Sequence, residues 1–242
     1  MQTAIEAVAL RTVRYSDRHN ILSVYTRQRG RMSHLIDASS GRAGARARAL
    51  TMPLSLVECV ADVRPDREIS TIRDLRPTVA LPGLHGNPVK MSVAMFMAEM
   101  LDTILRQCES EPLLFDFLTL AVRALDAETH SVANFHLAVL FRMGRFLGID
   151  PDMSTYREGR VFDMADGCFR DMRPLHRDYL PPEEASVMAG LARITLANHY
   201  LFQFSREERR RALQLILRYY TLHYSSLGTL AQSLDVLASL YD

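Results

Sequence analysis

The hydrophobic period of this chain changes once, across residues 76–90, and that change bounds the folds open to it. Before it, apolar residues recur at every second position; beyond it, at every third or fourth. Thr3–Tyr15 is rich in β-branched and small apolar residues and runs into the turn-forming Ser16-Asp17-Arg18-His19-Asn20. Ile21–Arg27 is a second strand, and Gly30 marks a tight reversal. Arg31–Asp37 is a third, with Met32, His34 and Ile36 alternating against Arg31, Ser33 and Leu35. Leu54–Val63 and Ile69–Leu75 supply two more. Between the third and fourth strands, Ser39–Arg48 has no apolar side chain larger than alanine, so it is expected to be a mobile basic loop. Five short strands joined by turn signals predict a small barrel, because closure leaves no sheet edge unpaired.

Residues 76–90 hold three prolines and two glycines and read as a boundary. Helical spacing follows over Met91–Arg106, Leu113–Leu125, Ser131–Leu147 and Glu183–Asn198, and from the capping box at Ser205 through Tyr224. Between Asp150 and Leu180 the pattern lapses into short apolar pieces around Ala165-Asp166-Gly167, the signature of a small hairpin or irregular insertion. The expected class is therefore α+β. A five-stranded β-barrel occupies residues 1–78 and a linker 79–90. An all-α domain fills 91–242, with an insertion at about 150–180.

Several chemistries are excluded by what the sequence lacks. No G-x-x-x-x-G-K-[ST] loop, G-x-G-x-x-G turn, G-x-S-x-G elbow or H-E-x-x-H helix occurs, so no catalytic residue is assigned and no enzyme is expected. A site too dispersed to see in one sequence is the rival, and nuclease activity would require clustered carboxylates and a divalent metal. Asp163, Asp166 and Gly167 faintly resemble a calcium loop without its later carboxylates. Cys168 and His176 are half of a zinc site at most. No metal or cofactor is expected. The three cysteines are too scattered for a disulfide framework, no run of about 18 apolar residues exists, and the N-terminus lacks the features of a signal peptide. A cytoplasmic, nucleoid-associated location with no membrane contact is the natural expectation.

Charge is the positive signal. Residues 1–80 carry 13 arginines against 8 acids, a net +5, while the remainder is net −4. Nine of those arginines lie in the first 50 residues. Arg14 and Arg18 bracket the first turn, Arg27, Arg29 and Arg31 the second, and Arg42, Arg46 and Arg48 sit on the basic loop. Guanidinium forks match phosphate oxygens and stack on bases, so these groups, converging beside Tyr15 and Tyr25, would form a nucleic-acid rim. The same residues also fit a solvated surface over core tyrosines, or a protein-interaction module whose basic rim meets an acidic partner. The Met91/Met95/Met97/Met100 cluster reads as core filling.

Ala7–Asp17, Val24–Gly30 and the basic Gly-Arg stretch resemble the N-terminus of the RecO family of bacterial recombination mediators. The resemblance continues through Phe146-Leu-Gly148, Phe162-Asp163 to Gly167-Cys168-Phe169, Tyr219–His223 and Ser233–Leu237. It implies an N-terminal OB-fold and a helical domain. It also implies binding of single- and double-stranded DNA, annealing of complementary strands, and contact with the C-terminal tail of single-strand binding protein. With RecR, such proteins help load RecA during gap repair. Some branches carry a four-cysteine zinc site in the helical part; here only Cys168 lies there, so a zinc-free member is expected. For the tail, the apolar face of Phe135–Phe146 beside Arg142 and Arg145 is a candidate, against the alternative of an ordinary core helix.

Overall fold

The computed structural model describes residues 2–38, 40–63 and 69–224; the Ser233–Leu237 stretch lies outside them. Two compact units form, Met1–Glu128 and Thr129–Asp242.

In the first unit five strands close into a barrel. They are β1 (Gln2–Arg14), β2 (His19–Thr26), β3 (Gly30–Asp37), β4 (Leu56–Asp62) and β5 (Ile69–Pro77), in the order β1-β2-β3-β5-β4. All neighbours are antiparallel except β3 and β5. This is the OB topology, with a helix between β3 and β4. Strand β1 serves two partners: Gln2–Val8 pairs with β4, and Ala7–Arg14 with β2, across a bulge between Ala9 and Arg11. Period-two patterning fills the interior: Ala7, Ala9, Leu22, Val24 and Val57 are buried, with Met32, Ile36, Ile72 and Leu75 packed on them.

One polar pair shares that interior. His34 is fully buried on β3, its Nδ1 2.8 Å from Ser70 Oγ on β5, while its Nε2 has no hydrogen-bond partner among the described residues. Burial pushes its pKa down to about 4, against 6.5 for a free imidazole. The folded barrel therefore resists a proton that the unfolded chain accepts. Stability is complete above about pH 6.5 and falls as pH drops from there towards 4, by at most about 1.4 kcal/mol per pH unit. Denaturant midpoints at pH 7 and pH 4.5 are expected to differ less for His34→Leu than for the parent; an equal loss in both would remove His34 as the cause.

The stretch expected to be a mobile loop is instead helical: α1 spans Gly41–Leu50. Absence of large apolar side chains argues against a core, not against a helix, and alanine and arginine are among the strongest helix formers. Its last turn is fastened where Thr51 N–H donates to Ala47 O and Thr51 O accepts from Thr12 Oγ1 of β1.

Three further helices belong to this unit: α2 (Pro82–His85), α3 (Pro88–Ile104) and α4 (Pro112–Ala127). Residues 79–90 thus carry α2 and the first turn of α3, capped by Asn87 accepting from Val89 and Lys90 N–H. Gly83 lets α2 approach the end of α4: a Cβ there would lie 2.2 Å from Asp126 O. Helix α3 packs on β1 and β2, and Val8, Leu10 and Tyr25 are buried on the outer face of the barrel. Of the four methionines, Met97 and Met100 are buried and Met95 is exposed.

The second unit packs α5 (Phe135–Met143), α6 (Pro182–Leu191) and α7 (Arg206–His223) around Phe135, Leu140, Ile194, Leu213, Ile216 and Tyr220. Tyr220 donates to Leu140 O at 2.8 Å, and the Ser205–Glu208 capping box opens α7. Helices α5 and α6 are shorter than their apolar spacing suggests, each passing into turns. The insertion is a small sheet, β6 (Val161–Asp163), β7 (Cys168–Arg170) and β8 (Tyr179–Leu180), in the order β7-β6-β8. Among the described residues, no helix is long and apolar enough to cross a membrane.

Candidate nucleic-acid interface

The turns after β1 and after β2 lie at opposite ends of β2, an eight-residue strand that separates them by about 23 Å. The arginines that the sequence brings together therefore divide into two groups with different surroundings.

At the first end, the β1–β2 turn is held by Tyr15 and Ser16 N–H donating to His19 O, and by Ser16 Oγ accepting from Arg18 and His19 N–H. Arg14 is exposed and paired with Asp17 at 2.5 Å. Arg18 is exposed, and Tyr15 is 64% exposed. Ala38 N–H donates to Arg18 O at 2.8 Å, so the end of β3 lies beside this turn and α1 begins three residues later. Arg42 and Arg46 fall on one helical face at i, i+4; Arg48 is turned roughly 200° from Arg46. All three are exposed.

At the second end the guanidinium groups are occupied. Arg27 lies between Glu6 and Asp116, with its Cζ 5.1 Å from the centre of the Phe115 ring. The hydrogen bond to Asp116 holds its pKa above the usual arginine value. Arg31 donates from Nε to Asp102 Oδ1 at 3.0 Å and from its two terminal nitrogens to Ser33 and Ser23 Oγ, each at 2.9 Å. Asp102 is on α3, with its side chain only 5% exposed. Arg29, by contrast, is exposed at the turn. Tyr25 is fully buried and accepts from Glu111 N–H, which removes its ring from any stacking surface. The expected continuous rim is thus broken, and Arg27 and Arg31 act as braces between the barrel and its covering helices.

Arg11, Arg73 and Arg76, outside the predicted set, are exposed as well. On β5, Ile72 and Leu75 point inwards while Arg73 and Arg76 do not, and α1 contacts this strand. Alternation against Ile72 was the signal that identifies Arg73 as outward. Arg76 stands opposite Glu58 in the β4–β5 register.

In the second unit, Phe135 is fully buried with its ring edge-on to His199 at 5.0 Å, so it is core and cannot receive a peptide. Arg142 donates to Ile194 O and Ala192 O, satisfying carbonyls just beyond α6. It also lines an open groove with Phe141, Asp150, Tyr156 and Arg193. Arg145 is exposed. The insertion is knitted by Asp163. Its Oδ1 accepts from Ala165 and Asp166 N–H and lies 3.3 Å from His176 Nε2; its Oδ2 accepts from Arg170 Nε at 2.9 Å. That carboxylate closes the β6–β7 turn in place of a calcium site. A tetrahedral zinc does not fit either, because Cys168 is the one thiol in this segment and, among the described residues, no three metal-ligating side chains converge.

Residues 1–79 match the family described as recombination protein O N terminal, and residues 85–230 match recombination protein O C terminal. A protein from Phocaeicola vulgatus named DNA repair protein RecO is 41% identical over 234 residues, covering 97% of each chain. Proteins of the same name from Bacteroides fragilis and Porphyromonas gingivalis are 36% and 35% identical, covering 97% and 98% of each chain. An OB barrel and a helical unit in this order, matched along nearly the whole length, show that the chain belongs to the RecO family.

Proposed function

We propose that this protein acts in DNA repair and recombination as a non-catalytic, DNA-binding mediator. In this reading it binds single- and double-stranded DNA, anneals complementary strands and, with RecR, helps load RecA on gaps coated by single-strand binding protein. The observation that carries the reading is one end of the barrel. There, exposed Arg18, Arg42 and Arg46 accompany exposed Tyr15, on the turn between the first two strands and the helix following the third. OB barrels engage oligonucleotides through that first turn and the adjacent strand face. Here α3 covers part of the face, which shifts the available charge to the turn and to α1.

Two polyanions repel each other, so a protein that neutralises phosphates on both strands raises the rate of their encounter. Phosphate contacts carry no base information, and affinity should show little sequence preference. The tail of single-strand binding protein is assigned to the groove beside Arg142, without Phe135. A reading in which the same arginines meet an acidic protein is separated by competition: a neutral-backbone nucleic acid would compete poorly against DNA if phosphates are the ligand.

The direct test is annealing of complementary oligonucleotides, bare or coated by single-strand binding protein. Alanine at Arg18, Arg42 and Arg46 together is expected to slow annealing at least tenfold, while Arg27→Ala leaves it near the parent rate. The opposite order would move the interface to the other end of the barrel.

A further inference from the structure

The loop between β7 and β8, residues 171–178, presents two large apolar side chains entirely to solvent: Met172 at 81% and Leu175 at 109% exposure. Scattered surface leucines are ordinary, but this pair stands on a loop whose two ends are clamped. At one end, Asp171 receives both Nε and Nη2 of Arg160 at 2.7 and 2.8 Å. At the other, Met164 N–H donates to Asp178 O, Arg218 lies 3.8 Å from Asp178 and donates to Arg177 O, and His176 reaches Asp163. Pro174 stiffens the tip between the two apolar residues. The loop therefore holds Leu175 outwards in a prepared shape, which lowers the ordering cost of contact.

Charge around the tip selects its partner. The nearby carboxylates are already engaged: Asp163 and Asp166 by Arg170, Asp171 by Arg160, and Asp178 by Arg218. Arg173 rests over the Tyr179 ring at 4.7 Å, and neither Arg173 nor Arg177 has an ion pair among the described residues. A convex apolar tip flanked by two uncompensated guanidinium groups suits a concave polyanion. Proteins that wedge leucine, methionine or proline between the base steps of a duplex, with arginines in the adjoining groove, use this combination.

We propose that the 171–178 loop is a second nucleic-acid contact, in which Leu175 and Met172 press against bases and Arg173 and Arg177 bind the adjacent phosphates. The inference rests on the DNA-binding reading above and adds to it a contact in the other unit, so that one chain engages nucleic acid twice. Annealing then draws on both contacts.

The test compares the full-length parent with Met172→Ser/Leu175→Ser, with Arg173→Ala/Arg177→Ala, and with the Arg18/Arg42/Arg46 alanine variant. The probe is a duplex oligonucleotide carrying 2-aminopurine, whose fluorescence reports unstacking. All loop substitutions are at exposed positions, and an unchanged melting curve verifies folding. The serine variant is expected to lose the 2-aminopurine change and anneal about tenfold more slowly, equivalent to about 1.4 kcal/mol. The arginine variant is expected to flatten the dependence of log K on log salt by about 1.8, at roughly 0.9 per lost duplex phosphate contact. If both loop variants match the parent while the barrel variant is impaired, the loop contact is refuted and the DNA-binding reading stands. If barrel and loop variants all match the parent, both fail. Loop variants that keep every DNA parameter but lose binding of an acidic protein partner would make the tip a protein-docking site and overturn the proposal.

Discussion

Arg31→Ala is expected to destabilise the first unit by about 3 kcal/mol, measured as a shift of the denaturant midpoint at pH 7. The substitution leaves Asp102, 5% exposed on α3, without the guanidinium that neutralises it, and also removes hydrogen bonds to Ser23 and Ser33. Breaking a buried ion pair by deleting one member costs about 3–5 kcal/mol, because the remaining charge stays desolvated. The lower end applies here, since Arg106 Nη2 lies 4.0 Å from Asp102 and supplies partial compensation. Replacing both members by apolar groups of similar size, Arg31→Met with Asp102→Leu, is expected to recover most of the loss, as the desolvation penalty goes with the charge. A stability change below about 0.5 kcal/mol in Arg31→Ala, accompanied by weaker DNA binding, would instead make Arg31 a ligand rather than a brace.

The contrast between Arg31 and Arg18 marks where sequence reasoning stops. Alternation of Met32, His34 and Ile36 against Arg31, Ser33 and Leu35 fixes which residues of β3 face inwards, because side chains on a strand alternate whatever else the chain does. It says nothing of what covers the outer face. Asp102 and Asp116 are 71 and 89 residues from the arginines they hold, and no local pattern announces such a partner. The division of the arginines between two ends was legible: in an antiparallel meander successive turns must alternate ends, so the β1–β2 and β2–β3 turns cannot share a rim. Helix α1 is legible too, from alanine and arginine propensity, because the size of an apolar side chain bears on core packing and not on helix formation. Phe135 illustrates the converse. A stripe at helical spacing shows that a face is apolar but not whether core or a peptide covers it; His199, 64 residues on, decides for the core.

Those distinctions set the expected outcome for the barrel end. Alanine at Arg18, Arg42 and Arg46 together is expected to weaken single-strand binding about 100-fold at 0.1 M salt, read by fluorescence anisotropy. Each lost phosphate contact removes about 0.7 from the slope of log K against log salt, which at 0.1 M is about fivefold relative to 1 M, and three compound to about 100-fold. The slope itself should flatten by about 2. Alanine retains high helix propensity, so Arg42→Ala and Arg46→Ala leave α1 intact, and Arg18 sits on an exposed turn whose fold depends on Ser16 Oγ and on backbone groups. Loss of affinity in this variant is therefore loss of charge rather than of structure. Arg27→Ala supplies the internal control. Its guanidinium is already neutralised by Glu6 and Asp116, so removing it exposes two carboxylates without deleting a phosphate contact, and the salt slope should stay at the parent value. If Arg27→Ala flattened the slope as strongly as the triple variant, the ion pairs would open on binding. The two ends of the barrel would then act together despite the strand that separates them.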